Sequence, residues 1–160
     1  MKGPFYSMAN KVASFQARIN QEVIMAAAPA KKKMIELNRD DQMFERGVKA
    51  DNTRIGDYAA STRIYKKEAG QRHDHMTLRD TAAFHESIDI EFGDTEFVFT
   101  ANDKKINDKG GTDSLLEIHG KEILGLTDDS LNFIKDKFIK PNLIESFRFK
   151  VLERTNKIFQ

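Results

Sequence analysis

The chain has 160 residues, among them 26 basic side chains, 25 acidic side chains and no cysteine. The near-neutral balance gives no reason to propose nucleic acid, an anionic membrane or another polyanion as a partner from bulk charge, and the lack of cysteine excludes disulfides and cysteine-based catalysis or metal binding. A chain of this length predicts one domain over residues 1–160, with a single core. No apolar run reaches the roughly 18 to 20 residues of a membrane span, and the first residues lack the apolar core of a signal peptide.

Residues 1–50 are predicted to form a helical arm. Pro29 lacks the N–H that a continuous helix needs, so a kink or a restart is predicted there. The helical pattern ends at Gly47, because glycine readily adopts the left-handed conformation that follows a last turn. Within residues 8–28, apolar side chains recur at steps of three and four and so lie on one stripe of an amphipathic helix: Val12, Phe15, Ile19, Val23 and Ala26.

Residues 51–76 are predicted to be an extended loop that holds one short helix. That helix lies within residues 58–70 and ends at Gly70. The hydrophilic residues 71–75 follow it. A connection this long and weakly patterned is typical of a segment that becomes ordered on assembly.

Residues 77–126 are predicted to form a sheet centred on a β-hairpin. Asp80 or Thr81 supplies a helix N-cap before the sheet, and Gly93-Asp94 suits a primed tight turn between the strands. Strict alternation predicts the two strands and assigns one face to the core. The alternating apolar residues are Ile88, Ile90 and Phe92 in the first strand and Phe97, Phe99 and Ala101 in the second.

The pattern after the hairpin is less regular. The polar, glycine-containing residues 102–112 are expected to form a mobile loop, and residues 123–126 a strand or a turn. Thr127 is predicted to cap a C-terminal helical segment over residues 127–160, which Pro141 breaks or restarts. Leu115, Leu116 and Ile118 are predicted to form a third strand, and the apolar pattern of the last segment runs through Leu131, Ile134, Phe138, Ile144, Phe147, Val151 and Ile158.

Together these elements predict an α+β fold. A long N-terminal amphipathic helix, kinked near Pro29, is expected to pack on a small antiparallel β-sheet and to be followed by a C-terminal helix. Charge is unevenly distributed, since residues 1–50 carry nine basic and five acidic side chains, whereas residues 81–120 carry three basic and nine acidic ones. Such segregation suits head-to-tail docking of copies, although it is also common on monomers.

His73-Asp74-His75 is the tightest group of potential metal ligands in the sequence. Together with Asp80 or His85 it offers one alternative function, a small metal-dependent hydrolase. The alternative interpretation is that His73 and His75 are solvent-facing loop histidines, because neighbours at positions i and i+2 reach one ion only in particular backbone conformations.

The concentrated carboxylates of the hairpin do not predict an enzyme. Alternation points Asp89 and Glu91 away from the predicted core, so they lie on the outer face of the sheet and form a candidate docking surface. The pairs Asn102-Asp103 and Asn107-Asp108 lack the ligand spacing of an EF-hand. Motifs for a serine nucleophile, a phosphate-binding glycine loop or a dinucleotide site are also missing. The sequence therefore predicts a protein that is not an enzyme, with no catalytic residue, metal ligand or cofactor assigned.

Two groups of lysines are candidate interaction residues. Lys31, Lys32 and Lys33 form a run on the predicted helix, and Lys66 and Lys67 lie in the short helix of the loop. Such groups are either solvated helix faces or the phosphate contacts of a nucleic-acid-binding module, which is a second alternative function.

Short motifs are spread over most of residues 35–135. They are Leu37-Asn38-Arg39-Asp40-Asp41-Gln42, Gly47-Val48, Gly56-Asp57-Tyr58 with Thr62 and Tyr65, Thr77-Leu78-Arg79-Asp80-Thr81, and the segment from Gly120 to Thr127. Together they resemble the small neck proteins of tailed bacteriophages, specifically the head-tail joining or tail-completion proteins.

In that family a long helix precedes a turn of leucine, any residue, aspartate, threonine and glycine, which introduces a serine-bearing segment and a sheet. Leu78, Asp80, Thr81 and Ser87 match this pattern. Ala82 stands where the family usually has glycine, which implies a right-handed backbone at that residue.

The resemblance implies a structural virion protein, assembled in the host cytoplasm into a ring between portal and tail. Its expected partners are copies of itself, the portal or adaptor, and tail proteins, with non-specific electrostatic contact to DNA in the channel. No membrane partner is expected.

Overall fold

The computed structural model describes the backbone of residues 4–106 and 110–158, and the side chains of residues 13–106 and 110–149. The predicted apolar positions Val12, Val151 and Ile158 and the pair Asn107-Asp108 lie outside these side-chain ranges. The fold is mixed α and β, as predicted, with a long N-terminal helix, two small antiparallel sheets and a C-terminal helix. No helix in the described part of the chain is both long and apolar enough to cross a membrane.

The chain divides into two compact units. Unit 1 comprises Met1–Lys31, Phe92–Phe97 and Phe133–Gln160, and unit 2 comprises Lys32–Glu91 and Val98–Asn132.

Two long helices form most of unit 1. Helix α1 spans Pro4–Ala27 and α7 spans Lys140–Ile158. The side chain of Asn142 donates to the carbonyl oxygen of Ala26 at 2.9 Å, and Ser146 Oγ donates to the Glu22 carboxylate at 3.1 Å. Because the later residue of α7 contacts the earlier residue of α1, the two helices run antiparallel.

Prolines interrupt both helical segments where the sequence predicts it. A 3-10 turn at Ala28–Ala30 contains Pro29 and separates α1 from α2, Lys31–Glu36. At the other end, a π-helical stretch at Lys135–Ile139 precedes α7, in which Pro141 is the second residue. Since Pro141 has no N–H to donate back to the preceding turn, the helix widens locally and then restarts.

In unit 2, a π-helical stretch at Leu37–Arg46 continues α2. It ends at Gly47, which has a left-handed backbone with φ of 62°, so the predicted terminator is confirmed. The short helix predicted in the following loop is also confirmed, as α3, Ala60–Glu68. The core of unit 2 is formed by side chains from the π-helical stretch, the following loop and the sheet region: Met43, Ile55, Phe84, Ile88 and Ile123.

The predicted hairpin is formed by β1, Asp89–Phe92, and β2, Phe97–Thr100. In β1, Ile90 is buried while Asp89 and Glu91 are exposed, so the predicted alternation is confirmed there. Its turn differs from the predicted one. The amide of Gly93 donates to the carbonyl oxygen of Glu96 at 2.8 Å, so the turn lies between these two residues. No residue between 93 and 96 has a positive φ, so Gly93-Asp94 is not a primed turn.

The predicted third strand is wrong. Leu115, Leu116 and Ile118 lie in a short helix, α5, Leu115–His119, which Ser114 caps by accepting a hydrogen bond from the Glu117 amide at 3.1 Å. The remaining strands come from residues 102–112 and their neighbours, a region predicted as a loop. They are β3, Lys104–Ile106, and β4, Thr112–Ser114, which pair in an antiparallel sheet.

The segment before the C-terminal helices, residues 123–126, was predicted to be a strand or a turn, and it is a turn. Lys121–Ile123 forms a 3-10 turn, and Gly125 has a positive φ of 129°. Helix α6, Asp128–Ile134, then begins with Thr127 as its cap, whose side-chain oxygen accepts from the Ser130 amide at 3.4 Å. Two buried amide side chains from the π-helical stretch hold this turn. Asn38 donates to the carbonyl oxygens of Ile123 and Gly125, and Gln42 donates to Gly125 O and accepts from Thr127 N.

Candidate functional site

Unit 2 contains a groove of about 820 Å³. It lies between α3, the loop before the first hairpin, strand β3 and helix α5. Its lining includes four cationic side chains, Lys66, Arg79, Lys104 and Lys105, and three aromatic ones, Tyr58, Tyr65 and Phe84. We call it the basic groove. Of the predicted candidate interaction residues only Lys66 lies in this lining, because the walls come from segments far apart along the chain.

Lys66 lies at the wall of the basic groove and is only 4% exposed. Its ammonium donates to Gln71 Oε1 at 2.9 Å and to the carbonyl oxygen of Arg79 at 2.8 Å, and it lies 5.2 Å from the centre of the Tyr58 ring. Both hydrogen-bond acceptors are uncharged. This lysine therefore belongs to the interior of the groove, whereas Lys67 beside it is exposed and outside the lining.

The groove wall formed by residues 78–82 has a strained backbone. Leu78 has φ of 54° and Ala82 has φ of 68°, both in the left-handed region that side chains with a Cβ rarely adopt. The right-handed backbone predicted for Ala82 is therefore wrong. Ala82 also occupies the N-cap position of α4, Ala83–Glu86, which had been predicted for Asp80 or Thr81.

Ser87, which the sequence motif singles out, joins this region to the hairpin. Its hydroxyl donates to the carbonyl oxygen of Phe84 at 2.8 Å and accepts from the amide of Asn102 at 2.9 Å. The serine thus ties the end of α4 to the segment that follows β2.

The histidines of residues 73–75 have structural contacts. Nε2 of His75 lies 3.0 Å from the carbonyl oxygen of Phe44, and since a carbonyl only accepts, this nitrogen donates. Nδ1 of His75 lies 3.1 Å from the Asp74 carboxylate, and Nδ1 of His73 lies 3.0 Å from the carbonyl oxygen of Gln71. A ring nitrogen that donates has no lone pair for a metal.

The same loop covers the end of the π-helical stretch. Arg72 donates to the carbonyl oxygen of Phe44 at 2.8 Å and to the Glu45 carboxylate at 2.7 Å. The ring of His75 lies so close to Gly47 that a Cβ added at Gly47 would come within 2.4 Å of its Cδ2. The loop therefore supplies donors to carbonyls that a helix end leaves without intrahelical partners.

The two other histidines are partly or fully buried. Nε2 of His85 donates to the carbonyl oxygen of Thr77 at 2.8 Å. Burial lowers the pKa of His85, the hydrogen bond to Thr77 opposes this effect, and the nearby Arg79 and Arg39 charges add to it. Burial and the charge of Lys49 also lower the pKa of His119, which lines the groove.

The residues proposed for a metal-dependent hydrolase do not come together. Within residues 13–106 and 110–149, no group of three histidine or carboxylate side chains has the arrangement of a metal site. Asp80 lies 3.8 Å from the ammonium of Lys105 in the groove lining, while His75 contacts the end of the π-helical stretch.

The remaining candidate interaction residues are on the surface. Lys32 is exposed, Lys31 and Lys33 are half-buried, and Lys33 lies 3.4 Å from the Glu36 carboxylate. Asp89 and Glu91 are exposed on the outer face of β1.

No family model, curated protein or solved structure was found to match this chain.

Proposed function

We propose that this chain is a structural virion protein of a tailed phage, which forms a ring in the neck between portal and tail. The support from the sequence is the resemblance over residues 35–135, including the turn at Leu78–Thr81 and Ser87. The support from the structure is an apolar surface that the fold of a single chain leaves exposed.

That surface begins on the apolar stripe of α1. Along this stripe, Ala26 is 6% exposed, Ile19 is 36% exposed and Phe15 is 59% exposed. Among the described residues of the stripe, exposure therefore rises from the C-terminal part of α1 toward Phe15, and the single chain covers only the C-terminal part of this described stretch.

Helix α7 also leaves apolar side chains exposed. Leu143 is half-buried, whereas Ile144 is 53%, Phe147 51% and Phe149 66% exposed. Because α1 and α7 run antiparallel, Phe147 and Phe149 on α7 lie toward the same end of the helix pair as Phe15 and Ile19 on α1. We call this end, defined by Phe15, Ile19, Phe147 and Phe149, the apolar end. Several large apolar side chains exposed at one end of a helix pair are typical of a site of protein association.

The proposal is tested with the phage or prophage whose genome carries the gene. Mass spectrometry of purified virions is expected to detect the chain, and deletion of the gene is expected to give DNA-filled heads and free tails. Absence of the chain from intact virions would refute the proposal.

Complementation of the deletion tests the role of the apolar end. The variants Phe15→Asp and Phe147→Asp are expected to fold and to fail in joining heads to tails. Ile64→Asp is the matched control, because Ile64 is also 59% exposed but lies on α3 in unit 2. Equal complementation by all three variants would show that the apolar end is not the assembly surface.

A further inference from the structure

We infer that the tip of the first hairpin of one copy docks into the basic groove of a second copy. The inference rests on the proposed function for its setting, a ring in which every subunit contacts the next. It names the two surfaces of the chain that contact each other in that ring. The resemblance to phage neck proteins does not name them.

Three of the four cations that line the groove, Lys66, Arg79 and Lys104, have no charged partner among the described residues. Lysine is seldom this deeply buried without a carboxylate, yet the two acceptors of Lys66 are an amide and a carbonyl oxygen. An ammonium has three donors, and two of those of Lys66 have a hydrogen-bond acceptor among the described residues. Arg79 and Lys104 are exposed and form no ion pair with the described residues, whereas Lys105 pairs with the Asp80 carboxylate at 3.8 Å.

The lining also contains two acids, which favour a protein occupant over nucleic acid. Asp57 accepts a hydrogen bond from Arg54 at 3.0 Å, and Asp80 forms an ion pair with Lys105 at 3.8 Å. A continuous line of phosphates would be repelled by these acids, whereas a peptide segment presents discrete carboxylates at separate positions. Apolar walls from Tyr65, Leu78 and Ile106 suit a peptide as well.

The hairpin of another copy offers the complementary charge. Residues 89–100 contain four acidic side chains and no basic one. The four tip residues 93–96 are all exposed, and the carboxylates of Asp94 and Glu96 form no ion pair with any described residue. Val98 on β2 is 48% exposed and adds an apolar contact beside the acids.

The contact is heterologous, because the hairpin tip and the basic groove are different surfaces of the same chain. Each copy therefore uses its tip on one neighbour and its groove on the other, which generates a ring when the rotation closes. The charges at the groove rim are exposed, so the association is expected to weaken as ionic strength rises.

A charge exchange tests the inference with the full-length protein. The tip variant is Asp94→Lys with Glu96→Lys, and the groove variant is Lys104→Glu with Lys105→Glu. Sedimentation and chemical cross-linking at low salt are expected to show self-association of the wild type and a loss of at least about tenfold in affinity for each variant alone. An equimolar mixture of the two variants is expected to restore association, because each then meets a groove or a tip of opposite charge.

The control is Lys32→Glu with Lys67→Glu, which changes the net charge as much as the groove variant but alters two exposed lysines outside the lining. It is expected to associate like the wild type. Circular dichroism checks folding, and the neutral pairs Asp94→Asn with Glu96→Gln and Lys104→Gln with Lys105→Gln replace any reversed variant that does not fold; each is then expected to weaken association.

A wild type that stays monomeric, variants that associate normally, or a mixture of reversed variants without rescue would each overturn the inference. If the chain is present in virions but the exchange shows no rescue, only this contact is wrong. If the exchange rescues but the chain is absent from virions, the self-association is correct and the neck function is wrong.

Discussion

Replacing Gln42 by methionine is expected to destabilise unit 2, because it leaves the backbone amide of Thr127 without a hydrogen-bond acceptor. Gln42 Oε1 accepts from the buried Thr127 amide at 2.9 Å, and Nε2 donates to the carbonyl oxygen of Gly125 at 3.0 Å. Methionine has a similar volume but no polar atoms that replace these bonds. The carbonyl of Gly125 keeps a second donor, Asn38 Nδ2 at 2.7 Å, whereas Thr127 N has no other acceptor among the described residues.

The expected loss of stability follows from this difference between the Gly125 carbonyl, which keeps a partner, and the Thr127 amide, which does not. A buried amide left without an acceptor costs about 1 to 3 kcal/mol, so Gln42→Met should lower the free energy of unfolding by about that amount. Gln42→Ala should cost about 1 to 2 kcal/mol more, because it also leaves a cavity.

Asn38→Leu is the informative comparison. It removes the donor to Ile123 O, but it also removes Asn38 Oδ1, a buried acceptor without a partner among the described residues. Because the two effects oppose each other, this variant should stay within about 1 kcal/mol of the wild type.

Urea unfolding monitored by tyrosine fluorescence measures these differences. Tyr58 and Tyr65, two of the three tyrosines, belong to unit 2. A Gln42→Met variant as stable as the wild type, or an Asn38→Leu variant less stable than Gln42→Met, would refute the reasoning.

Three further predictions concern single positions. Ala82→Gly should stabilise the fold by about 0.5 to 1 kcal/mol, because glycine adopts the left-handed backbone without strain. Ala83→Gly, in the helix, should destabilise the fold, and a lower thermal midpoint for Ala82→Gly than for the wild type would contradict this prediction. Burial lowers the folded-state pKa of His85 below its ordinary 6.5, so the unfolded state binds more protons and the free energy of unfolding should fall as pH drops from 7 through 6.5. The fall should be less steep in His85→Gln, and equal slopes of the two proteins in denaturant titrations would exclude this role. Phe99→Ala should lower the free energy of unfolding by about 2 to 3 kcal/mol, because Phe99 is half-buried against the core, and Phe97→Ala should lower it by less, about 1 to 2 kcal/mol. The reverse order in urea unfolding would count against the assignment of Phe99 to the core.

Local signals in the sequence were reliable where one residue decides the backbone. Pro29 and Pro141 interrupt helices, Gly47 ends one, and Thr127 begins another, because each effect depends on the residue itself. The alternation in β1 was equally direct, since Ile90 is buried between two exposed acids.

Two kinds of structure escaped sequence reasoning. The pattern of Leu115, Leu116 and Ile118 fits a short strand as well as a helix, and Ser114 decides between them by capping the helix. Strand β3 has no buried residue, so it has no apolar alternation by which to be recognised.

The candidate site was hidden for a further reason. Lys66 and Lys67 are indistinguishable in the sequence, yet tertiary contacts bury the first and expose the second. Ala82 was expected to keep the backbone that alanine prefers, and the surrounding fold imposes a left-handed one instead. Such features depend on which distant segments meet.

The close approach of His75 to Gly47 constrains how this protein evolves. Two requirements meet at position 47, a left-handed backbone and room for an imidazole ring, so a side chain there would displace the ring that donates to Phe44 O. Positions 47 and 75 should therefore change together among homologous sequences: where glycine is lost, a smaller residue should stand in place of the histidine. Independent variation at the two positions would show that homologues close this helix end in another way.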